Sequence, residues 1–170
     1  MTEEKGLLVA VRQQNAEMVE LVESATDQEF GAPCEDHGGT TVAEVAAHCA
    51  EGYEMTAVWL QRLTARVAVP AAGEPAHDHS HPHPHPHPDE AAPVLSALDR
   101  SGTAARLRAG GQAILAEIGS LTEADLRLVP PASPFADGTV PLGAALRGLS
   151  GHLQEHLESM RRTIARERQG

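Results

Sequence analysis

The chain has 170 residues, of which 41% are hydrophobic and only 2% aromatic, and its net charge is -11 with the histidines neutral. This acidic balance excludes a nucleic-acid partner, because binding to a phosphate backbone requires clustered lysine and arginine. There is no 18-residue apolar run and no signal-like amino terminus. We therefore expect one soluble cytoplasmic domain over residues 1–170, with no membrane partner.

Four segments repeat apolar residues at helical spacing, and stretches with proline or glycine separate them. The sequence predicts helices over about residues 3–25, 41–65, 94–119 and 141–168. Thr40 or Thr41 can cap the second helix, and Glu44 completes a capping box with Thr41. No strand pattern competes, so the expected fold is all-α, an antiparallel four-helix bundle, with a long ordered loop over residues 121–138.

Residues 70–93 interrupt this pattern between the second and third predicted helices. They are rich in Pro, Ala, His and Asp and have no apolar period, so we expect a mobile insertion there. Alternating prolines favour an extended backbone, on which neighbouring imidazoles cannot close a compact site and bind metal only weakly. The histidines of these secondary metal sites are His77, His79, His81, His83, His85 and His87.

Two histidines on the apolar side of the last predicted helix indicate the main site of chemistry. His152 and His156 are four residues apart, a spacing that directs both rings the same way. Burial of two polar rings among leucines costs free energy unless each finds a partner, and a shared cation satisfies both. His48, at the edge of the buried face of the second helix, is the best candidate for a third ligand. Three nitrogens leave a coordination position for water or substrate.

Two segments, residues 41–48 (TVAEVAAH) and 151–157 (GHLQEHL), carry a family resemblance, as do residues 121–126 (LTEADL) between them. In this order they resemble the DinB-like superfamily, which includes mycothiol-dependent maleylpyruvate isomerases and bacillithiol transferases. The resemblance implies a four-helix bundle whose three histidines hold a divalent metal, usually zinc or nickel. It also implies a metal-dependent thiol S-transferase or isomerase acting on a small electrophile, with mycothiol as a candidate cosubstrate. The histidine-rich insertion departs from the family pattern.

The insertion suggests a different function, because several weak sites suit the buffering, delivery or sensing of nickel, zinc or copper. Under this alternative the protein is a metal-handling module, and its partner is the metal ion rather than a small-molecule substrate. A plainer interpretation of the insertion is a low-complexity spacer. For His152 and His156, the plainer interpretation is a pair of partly exposed helix residues bonded to backbone or water.

A few further residues have chemical potential. Cys34 and His37 share a loop with two acidic residues, a cluster that could bind a metal or place a reactive thiol near the site. Cys49 points into the buried face of the second helix and is expected to be a small core residue. Three imidazoles and a water suit zinc, nickel, cobalt and iron alike. The alanine-rich helix faces are compatible with a homodimer.

Overall fold

The computed structural model describes residues 3–67, 99–133 and 136–169. In these residues the chain forms six α-helices: α1 (Glu3–Ser24), α2 (Asp27–Gly31), α3 (Val42–Val67), α4 (Arg100–Ser120), α5 (Glu123–Arg127) and α6 (Leu142–Glu167). One turn of 3-10 helix, Glu35–His37, precedes α3. The described residues contain two isolated bridges and no strand, which confirms the all-α prediction.

The four long helices, α1, α3, α4 and α6, surround an apolar core. Both α1 and α3 contact α4 and α6. Their inward residues recur at intervals of three or four, which places them on one face of each helix. The predicted apolar faces are confirmed by the most deeply buried side chains, among them Met18, Val22, Val42, Tyr53, Leu60, Leu157, Met160 and Ile164.

Two side-chain hydrogen bonds between α3 and α4 give the relative direction of these helices. Arg106 donates to Glu54, and one level further Gln61 donates to Glu117, so the two helices run parallel. The antiparallel prediction therefore does not hold for this pair. Residues 68–99 separate these two helices in the sequence, and long connections between successive helices are known in bundles with parallel neighbours.

The first and last helices also run in the same direction. The Gln14 side chain of α1 donates to the Ser150 carbonyl of α6, and Glu17 pairs with Arg161 further along both helices. Gln14 additionally accepts a hydrogen bond from the Ser150 hydroxyl at 2.8 Å. This buried polar contact joins α1 to the helix that carries the histidine pair.

The sequence pattern does not predict the short helices α2 and α5. Each begins with a capping box, formed by Thr26 with Glu29 and by Thr122 with Asp125, which satisfies backbone N–H groups at the helix start. The predicted loop over residues 121–138 is thus partly helical. Five residues are too few for apolar periodicity to be recognised, and only the capping residues mark these helices.

The third predicted helix is observed from Arg100, where the Asp99 side chain accepts from the N–H groups of Ser101 and Gly102. Residues 94–98, where this helix was expected to begin, lie outside the described residues, as does the predicted insertion over residues 70–93. Among the helices that the structure describes, none combines the length and apolarity needed to cross a membrane.

Candidate metal centre

Two histidines lie one turn apart on α6. The Nε2 atoms of His152 and His156 are 2.9 Å apart, and the ring centroids are 4.3 Å apart. His156 is 7% exposed, whereas His152 lies at the exposed edge of the helix. The four-residue spacing therefore brings two ring nitrogens to one point on the surface of α6, as the sequence predicts.

His48 approaches this pair from α3. The helix begins with the predicted capping box, in which the Thr41 hydroxyl accepts from the Glu44 N–H and the Glu44 carboxylate accepts from the Thr41 N–H. The ring centroid of His48 lies 5.1 Å from that of His156 and 6.1 Å from that of His152. One nitrogen from each of the three rings lies within 4.8 Å of the others. The structure thus brings together the three histidines that the sequence singles out.

Burial determines the charge of His156. Removal of its ring from water, together with the neighbouring imidazoles of His152, His37 and His48, lowers the pKa of His156 from its usual 6.5 to about 4. The ring is therefore neutral at physiological pH. A neutral imidazole offers a free lone pair, which is the form that binds a metal.

A fourth histidine joins the cluster from the loop before α3. The Nε2 atom of His37 lies 3.2 Å from Nδ1 of His156, and the two ring centroids are 4.8 Å apart. In the sequence, His37 shares this loop with Cys34. Cys34 is fully buried, which does not support a reactive thiol at this position, and His37 is the member of that cluster that contacts His156.

Ion pairs connect the loop that carries His37 to α6. Asp36 pairs with Arg162, and Glu35 pairs with Arg166, on the outer side of the loop. The hydrogen bond from Arg162 holds the pKa of Asp36 below its usual range. The two pairs place the loop against the same helix that carries His152 and His156. His37 is half-buried in this arrangement.

A cavity of about 290 Å³ opens beside the cluster. Three other cavities, of about 590, 320 and 260 Å³, have no histidine in their linings, and we therefore assign the candidate site to the cavity of about 290 Å³. It is lined by His37, Thr40, Glu44, Val45, His48 and His156.

Neither Cys49 nor Glu155 belongs to the group of converging ligand atoms. Cys49 is 1% exposed, and burial raises the pKa of its thiol to about 12, so the prediction of a core residue is confirmed. The Glu155 carboxylate lies 4.0 Å from Nδ1 of His152, too far for a hydrogen bond, and both side chains are exposed. The six histidines predicted as weak metal sites lie outside the described residues.

A family model of the DinB superfamily matches residues 10–160, a region that contains His48, His152 and His156. No curated protein and no solved structure matches the chain. The matched region extends from α1 into the last turns of α6 and includes the helices on both sides of the cavity.

Proposed function

The chain belongs to the DinB superfamily, and from that premise we propose that it binds one divalent cation, zinc or nickel, through His48, His152 and His156. The observation that carries this proposal is the convergence of three ring nitrogens, one from α3 and two from α6, within 4.8 Å of one another. Superfamily membership supports it, because members often bind a divalent metal.

The donor set and its spacing fit such a cation. Two imidazole nitrogens that bind tetrahedral zinc at about 2.0 Å lie about 3.3 Å apart. The observed 2.9 Å between the Nε2 atoms of His152 and His156 is close to this separation. The three nitrogens lie within 4.8 Å of one another, and the exposed ring of His48 is free of the tight packing that would hold a buried ring in place.

We further propose a metal-dependent thiol S-transferase or isomerase that acts on a small electrophile, with a low-molecular-weight thiol such as mycothiol as cosubstrate. A divalent cation at this site lowers the pKa of a thiol or water and so supplies a nucleophile at neutral pH. The three histidines would hold the cation, and they leave one coordination position free for the thiol or water. The cavity beside His48 and His156 gives a substrate room to reach that position.

We also propose that the four long helices form a four-helix bundle and that residues 1–170 are a single domain. Each of α1 and α3 contacts both α4 and α6, which closes a ring of contacts, and one apolar cluster includes residues from all four helices. The histidines lie on α3 and α6, which face each other. Metal sites in bundles are commonly built in this way.

The metal proposal is tested by elemental analysis of protein purified without an affinity tag, after dialysis against a chelator that removes weakly held ions. We expect one zinc or nickel per wild-type chain and none in His48→Ala. The matched control is His77→Ala, which removes one imidazole from the predicted weak sites and is expected to retain the ion. Equal metal content in wild type and His48→Ala would contradict the assignment.

The proposed enzymatic activity is tested separately, by mixing metal-loaded protein with candidate electrophiles and cellular thiols and following the loss of the electrophile, since an S-transferase consumes the thiol whereas an isomerase regenerates it. We expect the electrophile to be consumed with the wild type and not with His48→Ala. A protein that holds one equivalent of metal yet consumes no electrophile with any cellular thiol contradicts the transferase or isomerase activity and leaves the metal site standing.

A second candidate function is metal handling. The specific observation in its favour is the run of six alternating histidines, His77 to His87, which suits loose binding of several nickel, zinc or copper ions. In that case the three-histidine site is loaded from the insertion or accompanies it as a high-affinity store. The number of ions bound per chain then matters more than any turnover.

A further inference from the structure

We propose that His37 is a positioning residue that fixes the metal-binding orientation of His156. This inference rests on the proposed metal site. The two nitrogens of the His156 ring face different neighbours, because Nε2 lies 2.9 Å from Nε2 of His152 and Nδ1 lies 3.2 Å from Nε2 of His37. The α6 pair therefore offers its Nε2 atoms to a shared cation, and His37 contacts the opposite nitrogen of His156.

The contact between the rings of His37 and His156 would have a defined chemical role when a metal is bound to His156. Coordination through Nε2 would leave the proton of neutral His156 on Nδ1, the nitrogen that lies 3.2 Å from Nε2 of His37. The Nε2 atom of His37 accepts this hydrogen bond when its own proton is on Nδ1. Metal-bound imidazoles generally donate their second ring N–H to an outer partner, which fixes the tautomer and the ring orientation. His156 is 7% exposed, so His37 takes a position that water would otherwise have to fill.

The backbone of the loop holds His37 at this place. The Cys34 N–H donates to the Thr40 carbonyl at 2.9 Å, and the Thr40 N–H donates to the His37 carbonyl at 3.1 Å. Gly38 and Gly39 have φ values of 63° and 92°, a region that residues with a Cβ rarely adopt. The two glycines turn the chain directly after His37 and return it to the start of α3.

Contacts with α6 fix the loop from outside. Asp36, next to His37 in the sequence, pairs with Arg162, which lies six residues after His156 on α6. The helix that supplies two of the proposed ligands therefore also anchors the loop that supplies their partner. From the sequence alone, His37 is one member of a loop cluster that could bind a metal or place a reactive thiol, whereas the structure assigns it a different role.

The test measures the affinity of the full chain for Zn²⁺ and Co²⁺ by competition with a chelator. We expect His37→Ala to weaken binding about 10- to 100-fold, the usual effect of removing an outer partner of a metal ligand. His37→Gln places an acceptor oxygen near the position of the lost Nε2 and is expected to restore most of the affinity. Thr64→Ala, which shortens a side chain of α3 outside the cavity lining, is the control and should bind like the wild type.

The visible absorption of bound Co²⁺ separates positioning from coordination, because its bands report the number and type of ligands. We expect cobalt-saturated His37→Ala to show the same bands as the wild type, with only the affinity lowered. Bands that change in position or intensity would identify His37 as a ligand and overturn the proposal. Unchanged affinity in His37→Ala would overturn it as well.

Two further comparisons keep the result interpretable. His37→Leu fills the same space without an acceptor, and it decides the question if His37→Ala does not fold, since Leu should weaken binding where Gln does not. Equal binding by His37→Leu and His37→Gln overturns the positioning role. A wild-type chain that binds neither ion tightly contradicts the metal site itself, a failure distinct from that of His37 alone.

Discussion

Gly111 of α4 lies so close to Asn15 of α1 that a Cβ added to the glycine would stand 2.3 Å from the Asn15 side chain. Asn15 donates to the Leu107 carbonyl at 2.8 Å, so its amide cannot move away without losing this buried hydrogen bond. We expect Gly111→Ala to lower the free energy of unfolding by about 2–4 kcal/mol, through overpacking and the lost hydrogen bond. Urea denaturation followed by circular dichroism measures the change.

Gly119 provides the control in the same helix. An added Cβ there meets nothing within 4 Å. Gly119→Ala should therefore raise the free energy of unfolding by about 0.5–1 kcal/mol, because alanine loses less backbone entropy on folding. Destabilisation of similar size by both substitutions would show that helix packing at Gly111 is not the cause.

The close packing of α4 against α1 and α3 is a part of the fold that the sequence does not predict. Helix propensity marks Gly110 and Gly111 as weak points of α4, because glycine disfavours a helix interior. The structure gives the reason for their presence, since a Cβ at Gly110 would lie 2.9 Å from the Tyr53 Cβ. Propensity is a local property, whereas the approach of α4 to α1 and α3 depends on residues distant in the sequence.

The same distinction separates the predicted from the unpredicted parts of the site. Spacing on a helix predicts which face a residue occupies, and this was enough to select His48, His152 and His156. His37 lies on a loop, and its contact with His156 joins residues 119 positions apart. The only local signal for this loop is the Gly38–Gly39 pair, which indicates a turn without indicating what the turn brings together.

The lowered pKa of His156 predicts a pH-dependent stability of the metal-free protein. Its pKa is about 4 in the folded chain and about 6.5 when unfolded, so the unfolded state binds more protons between these values. The stabilisation is complete above pH 6.5 and is lost as the pH falls toward 4. We expect the free energy of unfolding to fall by at most about 1.4 kcal/mol per pH unit in this window.

Urea denaturation of EDTA-treated protein at pH 7.5, 6 and 5 measures this effect, above the range in which the carboxylates titrate. His156→Leu is the control, since it places an apolar side chain at this buried position of α6 and removes the titrating ring. The difference in unfolding free energy between wild type and variant should shift in favour of the variant as the pH falls. A difference that stays constant from pH 7.5 to 5 would contradict the assignment of a neutral, buried His156.

Glu155 is expected to contribute little to metal binding. Its carboxylate lies 4.0 Å from Nδ1 of His152, and both side chains are largely exposed to solvent. Exposed ion pairs contribute about 0–1 kcal/mol, so Glu155→Gln should weaken Zn²⁺ binding by less than about fivefold. His152→Ala, which removes a proposed ligand, should abolish tight binding in the same chelator competition. A loss of tight binding in Glu155→Gln would mean that the carboxylate moves closer when the metal binds.

Deletion of residues 76–88 distinguishes the two candidate functions. The three proposed ligands lie on α3 and α6, outside the deleted segment, so a thiol transferase or isomerase should keep its turnover and its one tightly held ion. A metal-handling protein should instead lose most of its capacity, because the deletion removes all six histidines of the predicted weak sites. Equilibrium dialysis against graded Ni²⁺ and Zn²⁺ concentrations counts the ions, and loss of the electrophile measures turnover on the same samples. Unchanged capacity would contradict metal handling, whereas unchanged capacity with lost turnover would indicate that the insertion serves the proposed reaction instead.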